Sequence, residues 1–211
     1  DGYWAPLVAR YAKGQQAALL GIPLGKEDAT TGRRSYTNSV MALLPEQATY
    51  RYDKQHLVPF GEFVPPWFRW FMALMDMPLS DFGRGDLVQA PLVFAGQRIA
   101  PNICFEDLFG EEIAQNFANP DQAPTLMVNM SNIAWFGNSV AIDQHLQISR
   151  MRAIEMNRPM LRATNTGATA VINAQGVVTH RLPSGVQATL TAQVRGMAGP
   201  VTPYAQWVSA Y

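Results

Sequence analysis

The sequence is poor in cysteine, histidine and charge, and it lacks a long apolar run. One cysteine, Cys104, and three histidines exclude an intrachain disulfide and a cysteine-rich zinc site. Charged residues make up 15% of the 211, against about 25% in typical proteins. Sixteen basic residues balance 16 acidic ones, so no nucleic-acid partner is expected. The sequence contains no run of about 18 apolar residues, so it predicts no membrane-spanning helix. We also expect no metal or cofactor.

What is present is a normal hydrophobic fraction, 48%, without repeats or an evident linker. Hydrophobic periodicity and turn residues predict an α/β fold in which helices and hairpins build a layered sandwich. Helices are predicted at 4–13, 110–117 and 139–157. Strands are predicted at 17–23 (buried), 38–44, 49–52, 87–94, 97–103, 125–129 (buried), 160–164, 168–173 and 177–180. A polar turn is predicted at 26–34, and a hairpin turn at Ala95 and Gly96.

Cys104 ends an apolar predicted strand and opens a turn that continues with Phe105, Glu106 and Asp107. A nucleophile at such a turn is accessible to substrate, and neighbouring backbone N–H groups can bind an oxyanion. An inert buried cysteine is the alternative, because cysteine is among the most buried residue types. The two adjacent carboxylates are expected to raise the pKa of the thiol unless a cation offsets them.

Lys54 is a candidate for that cation and for an oxyanion donor. It follows a predicted strand, and Glu62 lies eight residues later. An ordinary surface lysine is the alternative. His56 leaves open a Cys–His pair, although a lone histidine is more often structural.

Two further segments are rich in aromatic residues. The loop at 131–138 follows a buried predicted strand and contains Trp135, which is typical of a pocket wall or of a turn packed on the core. Residues 65–79 combine aromatic and methionine side chains that predict either a core helix or a lid lying on a lipid surface. The candidate lipid-facing residues are Trp67, Phe68, Trp70 and Phe71.

Taken together, four motifs are similar to the nitrilase superfamily and, within it, to the catalytic domain of the bacterial apolipoprotein N-acyltransferases. They read YDKQHLVPFGEFVP, NICFEDLFG, SNIAWFGNS and QHLQISRMRAIEMNRPMLRATNTGATAVI. The similarity runs from about residue 20 to residue 177, and the specificity comes from the combination of motifs.

The resemblance implies a Glu-Lys-Cys triad on an αββα sandwich. Cys104 matches the nucleophile, Lys54 the lysine that stabilises the oxyanion, and Glu62 a supporting glutamate. Glu106, a further catalytic candidate, and Phe105, a candidate for the oxyanion site or the pocket, match positions of the cysteine turn that shape the site. The implied reaction moves a fatty acyl group from a phospholipid, through a cysteine thioester, to the N-terminal amine of a diacylglyceryl-cysteine lipoprotein. The implied location is the bacterial inner membrane, with this domain on the periplasmic side.

The chain departs from the family pattern at the general base, a glutamate that the resemblance places upstream of Asp1. Neither Glu27 nor Glu46 matches it. The expectation for residues 1–211 is therefore a partial catalytic domain, incomplete at the N-terminal end of the sandwich and inactive or weakly active by itself.

Two other functions stay open at this point. A soluble nitrilase-type amidase would hydrolyse a small amide with the same cysteine and lysine. A non-catalytic domain that binds lipid or a partner protein would not need the thiol of Cys104.

Overall fold

A computed structural model of the chain describes residues 4–27, 34–45, 49–59, 61–63 and 82–210. The chain divides into two compact units, Asp1–Asp86 and Leu87–Tyr211. Each unit contains its own β-sheet.

The described residues of the first unit form one helix and a four-stranded sheet. Its elements are α1 (Trp4–Ala12), β1 (Ala18–Glu27), β2 (Arg34–Leu43), β3 (Thr49–Asp53) and β4 (Phe82–Gly83). Strand β2 pairs antiparallel with all of β1, from Ala18↔Leu43 to Glu27↔Arg34. It also pairs antiparallel with β3 and parallel with β4. Strand β2 is therefore the centre of this sheet, and buried residues are concentrated on it.

The predictions for the first unit are confirmed for α1 and for the β2–β3 pair. The expected burial of the first strand is wrong, because the described side chains of β1 are half-buried or exposed. The described strands leave β1 at the sheet edge, where it pairs with β2 alone. The predicted polar turn at 26–34 is wrong at both ends, because β1 continues to Glu27 and β2 begins at Arg34, and the rest of it lies outside the described residues.

The second unit is a six-stranded mixed sheet with three α-helices. Its strands are β5 (Leu92–Phe94), β6 (Gln97–Ile103), β7 (Leu126–Ser131), β8 (Met160–Thr164), β9 (Ala170–Ile172) and β10 (Val178–Arg181). Its helices are α2 (Gly110–Gln115), α3 (Ala141–Met156) and α4 (Pro203–Val208), with 3₁₀ turns at Cys104–Leu108 and Ala134–Phe136. The spatial order is β10-β9-β8-β7-β6-β5.

The middle of this sheet is parallel and its edges are antiparallel. Strands β6, β7 and β8 run parallel, so their carboxyl ends lie at one edge of the sheet. Strand β7 is central and almost wholly buried, which fits the apolar run 126–128 at its start. The core joins residues of α2 and α3 to this sheet, including Ile113, Met127, Leu146 and Met156. Ligands bind beside the carboxyl ends of parallel strands in open α/β sheets, which makes this edge the place to seek a site.

Most element predictions for the second unit are confirmed. The hairpin turns at Ala95 and Gly96, whose φ angles are 49° and 72°, although its first strand begins only at Leu92. Helix α3 ends at Met156, and its C-cap residue Asn157 adopts the left-handed conformation with φ 50°. Helix α4 and the 3₁₀ turn at Cys104 were not predicted, because both are too short to show a helical period.

Candidate active site

Cys104 lies at the carboxyl end of β6, where the strand passes into a 3₁₀ turn. Its φ angle is 52°, in the left-handed region that residues other than glycine rarely adopt. The residue is half-buried, and its Sγ lies 3.9 Å from the carbonyl oxygen of Asn132. Strained backbone at a strand-to-helix turn is a common setting for a nucleophile.

The side chain of Glu106 stabilises the cysteine turn, Cys104–Leu108, by a hydrogen bond to the strand before it. Its carboxylate accepts a hydrogen bond from the Ile103 backbone N–H at 2.6 Å, and the residue is 2% exposed. Phe105 is half-buried, and its ring meets the ring of Phe109 edge-on at 5.2 Å. In this geometry Glu106 holds the strand end against the turn that follows Cys104.

Asp107, the second carboxylate of the turn, is completely buried and paired with charge and hydrogen-bond donors. Arg162 Nη1 donates to Asp107 Oδ2 at 3.1 Å, and His145 Nε2 contacts Oδ1 at 2.8 Å. Ser149 Oγ also donates to Oδ2. Arg162 thus supplies a cation that offsets the negative charge of Asp107, whereas the sequence analysis predicted Lys54 in this role.

Arg162 also interacts with the thiol. Burial lowers the pKa of its guanidinium, whereas the charges of Asp107 and of an ionised Cys104 raise it. The second unit therefore contains a cation that interacts electrostatically with both Asp107 and Cys104.

His145, Ser149, Arg162 and Asn129 were missed as site residues. Asn129 Nδ2 donates to the Cys104 carbonyl oxygen at 3.1 Å, and His145 Nε2 contacts the same oxygen at 3.2 Å. One signal was available: His145 and Ser149 are polar residues four apart on the buried face of α3.

In the first unit, Lys54 follows β3 directly and is only 1% exposed. Its Nζ lies 2.7 Å from Glu62 Oε2, which also accepts the Val58 backbone N–H at 2.8 Å. Asn38 Nδ2 donates to Glu62 Oε1 at 2.7 Å. The alternative of an ordinary surface lysine is wrong, because this ammonium is buried against a carboxylate.

Backbone hydrogen bonds also fix the position of Lys54. Its N–H donates to the Asn38 carbonyl at 2.8 Å, and its carbonyl accepts the Gly85 N–H at 2.9 Å. A buried ammonium with a fixed backbone is suited to meet negative charge that develops nearby. His56, the other candidate of this segment, is half-buried.

Several predicted site residues lie outside what the structure describes. They are Trp67, Phe68, Trp70 and Phe71, with the whole of residues 65–79, and the side chain of Trp135. The backbone of Trp135 belongs to the 3₁₀ turn Ala134–Phe136.

Among the described residues, no group of three or more His, Cys, Asp or Glu side chains could hold a metal ion. Within the same ranges, no helix combines the length and apolar character needed to cross a membrane.

Comparison with known proteins gives a family match and named relatives. The model of the carbon-nitrogen hydrolase family matches residues 5–201. An apolipoprotein N-acyltransferase of Verminephrobacter eiseniae is 57% identical over 218 residues, covering 100% of this chain and 40% of the relative. One of Ralstonia nicotianae is 58% identical over 170 residues, covering 80% of this chain and 32% of the relative. The chain thus spans less than half the length of these two relatives.

The fold is shared with solved carbon-nitrogen hydrolases. The crystal structure of such a protein from Helicobacter pylori G27 superposes with a TM-score of 0.62 at 16% identity. The match covers 85% of this chain and 62% of that one. At this identity the likeness concerns the nitrilase-like α/β fold.

Proposed function

Because the chain belongs to the carbon-nitrogen hydrolase family, we propose that it is the catalytic region of a bacterial apolipoprotein N-acyltransferase, with Cys104 as the nucleophile. The observation that carries this proposal is 57% identity, over the full chain, to a relative of that name. The residues proposed to carry out the reaction are Cys104, in its strained turn, and the buried Lys54–Glu62 pair.

In the first step, the Cys104 thiolate attacks the carbonyl carbon of a phospholipid acyl ester. The proton of the thiol passes to a base, which in this proposal is the glutamate that the family resemblance places upstream of Asp1. Lys54 and backbone N–H groups stabilise the tetrahedral oxyanion. The ester C–O bond then breaks, a proton is returned to the leaving oxygen, and a lysophospholipid departs. Cys104 is left as a thioester.

In the second step, the α-amine of a diacylglyceryl-cysteine at a lipoprotein N-terminus attacks the thioester carbonyl. The C–S bond breaks, the amine loses a proton, and the Cys104 thiol is restored. Glu62 keeps the Lys54 ammonium in place through both steps. Glu106 and Phe105 shape the turn on which the acyl group is carried, and Trp135 is proposed as part of the pocket wall.

The proposed setting is the periplasmic side of the inner membrane, where donor and acceptor are both lipids. Residues 65–79 are proposed to lie on the bilayer surface, with Trp67 and Phe71 among the anchoring side chains. Changing both to serine is expected to weaken binding to phospholipid liposomes while leaving the thermal unfolding temperature unchanged. Lowered thermal stability with unchanged binding would place the segment in the core instead.

The test uses the complete protein in detergent micelles with a labelled phospholipid and a synthetic diacylglyceryl-cysteine peptide. Mass spectrometry is expected to show one fatty acyl group in amide linkage on the peptide, and none with Cys104→Ala. Arg181→Ala, in an exposed ion pair, is the matched control and should retain activity.

The family description supports an amidase as the second candidate. Ammonia release from small amides without lipid transfer, dependent on Cys104, would replace the acyltransferase proposal with this one. A binding domain is the third candidate, and it requires Cys104→Ser to leave the cellular function of the protein intact.

A further inference from the structure

Beneath the cysteine turn lies a polar cluster that the proposed mechanism does not use. Its members are Asp107, His145, Ser149 and Arg162, which are 0, 9, 0 and 2% exposed. They come from the cysteine turn, from α3 and from β8. A buried polar network of this kind is costly unless its hydrogen bonds are satisfied, and it becomes rigid when they are.

The hydrogen bonds in this cluster determine the tautomer of His145. Arg162 Nη2 lies 3.0 Å from His145 Nδ1. A guanidinium can only donate, so Nδ1 must accept, and the imidazole proton lies on Nε2. The one hydrogen on Nε2 is then shared between Asp107 Oδ1 at 2.8 Å and the Cys104 carbonyl oxygen at 3.2 Å.

The same contacts fix the orientation of His145. Asp107 and Arg162 contact the two ring nitrogens from different sides, and each is also tied to Ser149. Arg162 donates further to the carbonyl oxygens of His145 and Ala168 at 3.2 and 3.3 Å. Because the ring is held at both nitrogens, its Nε2–H stays directed at the cysteine turn.

The target of that N–H is the peptide between Cys104 and Phe105. Its carbonyl is held by His145 and by Asn129, at 3.2 and 3.1 Å. No described peptide is cis, so this one is trans and planar, and the Phe105 N–H points opposite to the carbonyl, away from the buried cluster. In enzymes with a nucleophile at such a turn, the N–H of the following residue is an oxyanion donor.

We propose that His145 is a positioning residue, oriented by Asp107 and Arg162, that holds the Cys104–Phe105 peptide so that the Phe105 N–H faces the developing oxyanion. It acts through the peptide and does not touch the reacting atoms. The hydrogen bonds to the Cys104 carbonyl also stabilise the left-handed φ of 52° at the nucleophile. This inference rests on the proposed function, because it requires acylation of Cys104.

Two variants of the complete protein replace His145 by an amide side chain, and they differ in whether that amide reaches the Cys104 carbonyl oxygen. His145→Gln carries its amide nitrogen near the position of Nε2 and can still donate to the Cys104 carbonyl. His145→Asn is one methylene shorter and cannot. The first measurement is the rate of Cys104 acylation by a phospholipid, and the second is the rate of Cys104 alkylation by iodoacetamide, which forms no oxyanion.

We expect His145→Asn to lower the acylation rate by about 10²-fold, the effect of one oxyanion donor. His145→Gln should recover most of that rate, and both variants should be alkylated at nearly the wild-type rate. Equal loss of acylation and alkylation in both variants, alongside a lower unfolding temperature, would show a structural role only and overturn the proposal. So would wild-type acylation in His145→Asn.

The wild-type protein supplies a readout that does not depend on the variants folding. The ¹⁵N chemical shifts of His145 should show a neutral ring with its proton on Nε2, and an imidazolium or the Nδ1–H tautomer would contradict the inference. If wild-type Cys104 is never acylated, the proposed function itself fails. Wild-type acylation that is insensitive to His145→Asn overturns the positioning role alone.

Discussion

Cys104 has a backbone conformation that its residue type rarely adopts, and its surroundings hold it there. A left-handed φ costs a residue other than glycine about 1–2 kcal/mol. Here the hydrogen bonds of Asn129 and His145 to the Cys104 carbonyl offset that cost. The sequence places the cysteine at the end of a strand, but it gives no sign of these contacts, which join residues 25 and 41 positions apart.

The proposed role of Lys54 as an oxyanion donor predicts a large kinetic effect. Lys54→Ala should lower acyl transfer by about 10²–10³-fold, because it removes a charged oxyanion donor. Turnover of the complete protein with a phospholipid and a lipopeptide measures this effect. Near-normal turnover would exclude Lys54 from the chemistry.

The Lys54–Glu62 pair also predicts a stability difference. Glu62→Leu should lower the free energy of unfolding by about 3–5 kcal/mol, because it leaves a buried ammonium unpaired. The matched control is Asp143→Ala in the Asp143–Arg181 pair, whose side chains are 71% and 39% exposed and which should change it by less than about 1 kcal/mol. Urea unfolding measures both, and equal effects would show that burial of Lys54 does not matter.

At the scale of elements, local patterns predicted most of what the structure shows. The α3 helix, the β5–β6 hairpin and the β2–β3 pair follow from periodicity and turn residues. The burial of β1 was mispredicted because an apolar run does not reveal the place of its strand in the sheet, and among the described strands β1 pairs with β2 alone. The cluster around His145 was missed because it joins a turn, a helix and a strand, an arrangement that only the fold creates.

The β5–β6 turn offers a prediction at this scale. Ala95 and Gly96 both have positive φ, as a type I′ turn requires, yet alanine is poorly suited to that conformation. Ala95→Asn should therefore raise the free energy of unfolding by about 1 kcal/mol. Thermal and urea unfolding check this, with Val93→Thr on the exposed part of β5 as the control. A loss of stability in Ala95→Asn would contradict the turn geometry.

At the scale of the whole molecule, composition excluded classes of function and the combined motifs supplied the positive proposal. Zero net charge disfavours nucleic acid, but it does not indicate which small molecule or lipid is bound. Four short motifs together identified the superfamily, which the family match over residues 5–201 confirms. The proposed chemistry rests on that membership and on the named relatives, and the geometry supplies the side chains that we propose for it.

The free energy of unfolding of the whole molecule depends on pH, and the structure gives the direction in which the carboxylate of Asp53 contributes. Burial alone would raise the pKa of Asp53, but hydrogen bonds from Arg51, Ser39 and Thr37, with the charge of Arg51, lower it below 3.8. A lowered folded-state pKa stabilises the fold above the unfolded pKa, and this contribution is lost as pH falls through the folded value.

Asp53→Asn should therefore be less stable than the wild type by a constant amount at neutral pH. The difference should shrink as the pH falls below about 4. Urea unfolding of both proteins across this range measures it. A difference that stays the same down to the lowest pH would show that the charge of Asp53 does not stabilise the fold.

The central claim is that Cys104 carries an acyl group, and intact mass of the complete protein tests it most directly. After exposure to phospholipid micelles without an acceptor, the wild type should gain the mass of one fatty acyl group. Hydroxylamine should remove it, and Cys104→Ala should never acquire it. An adduct that persists in Cys104→Ala, or a wild type that stays unmodified while it transfers acyl groups, would contradict the thioester mechanism.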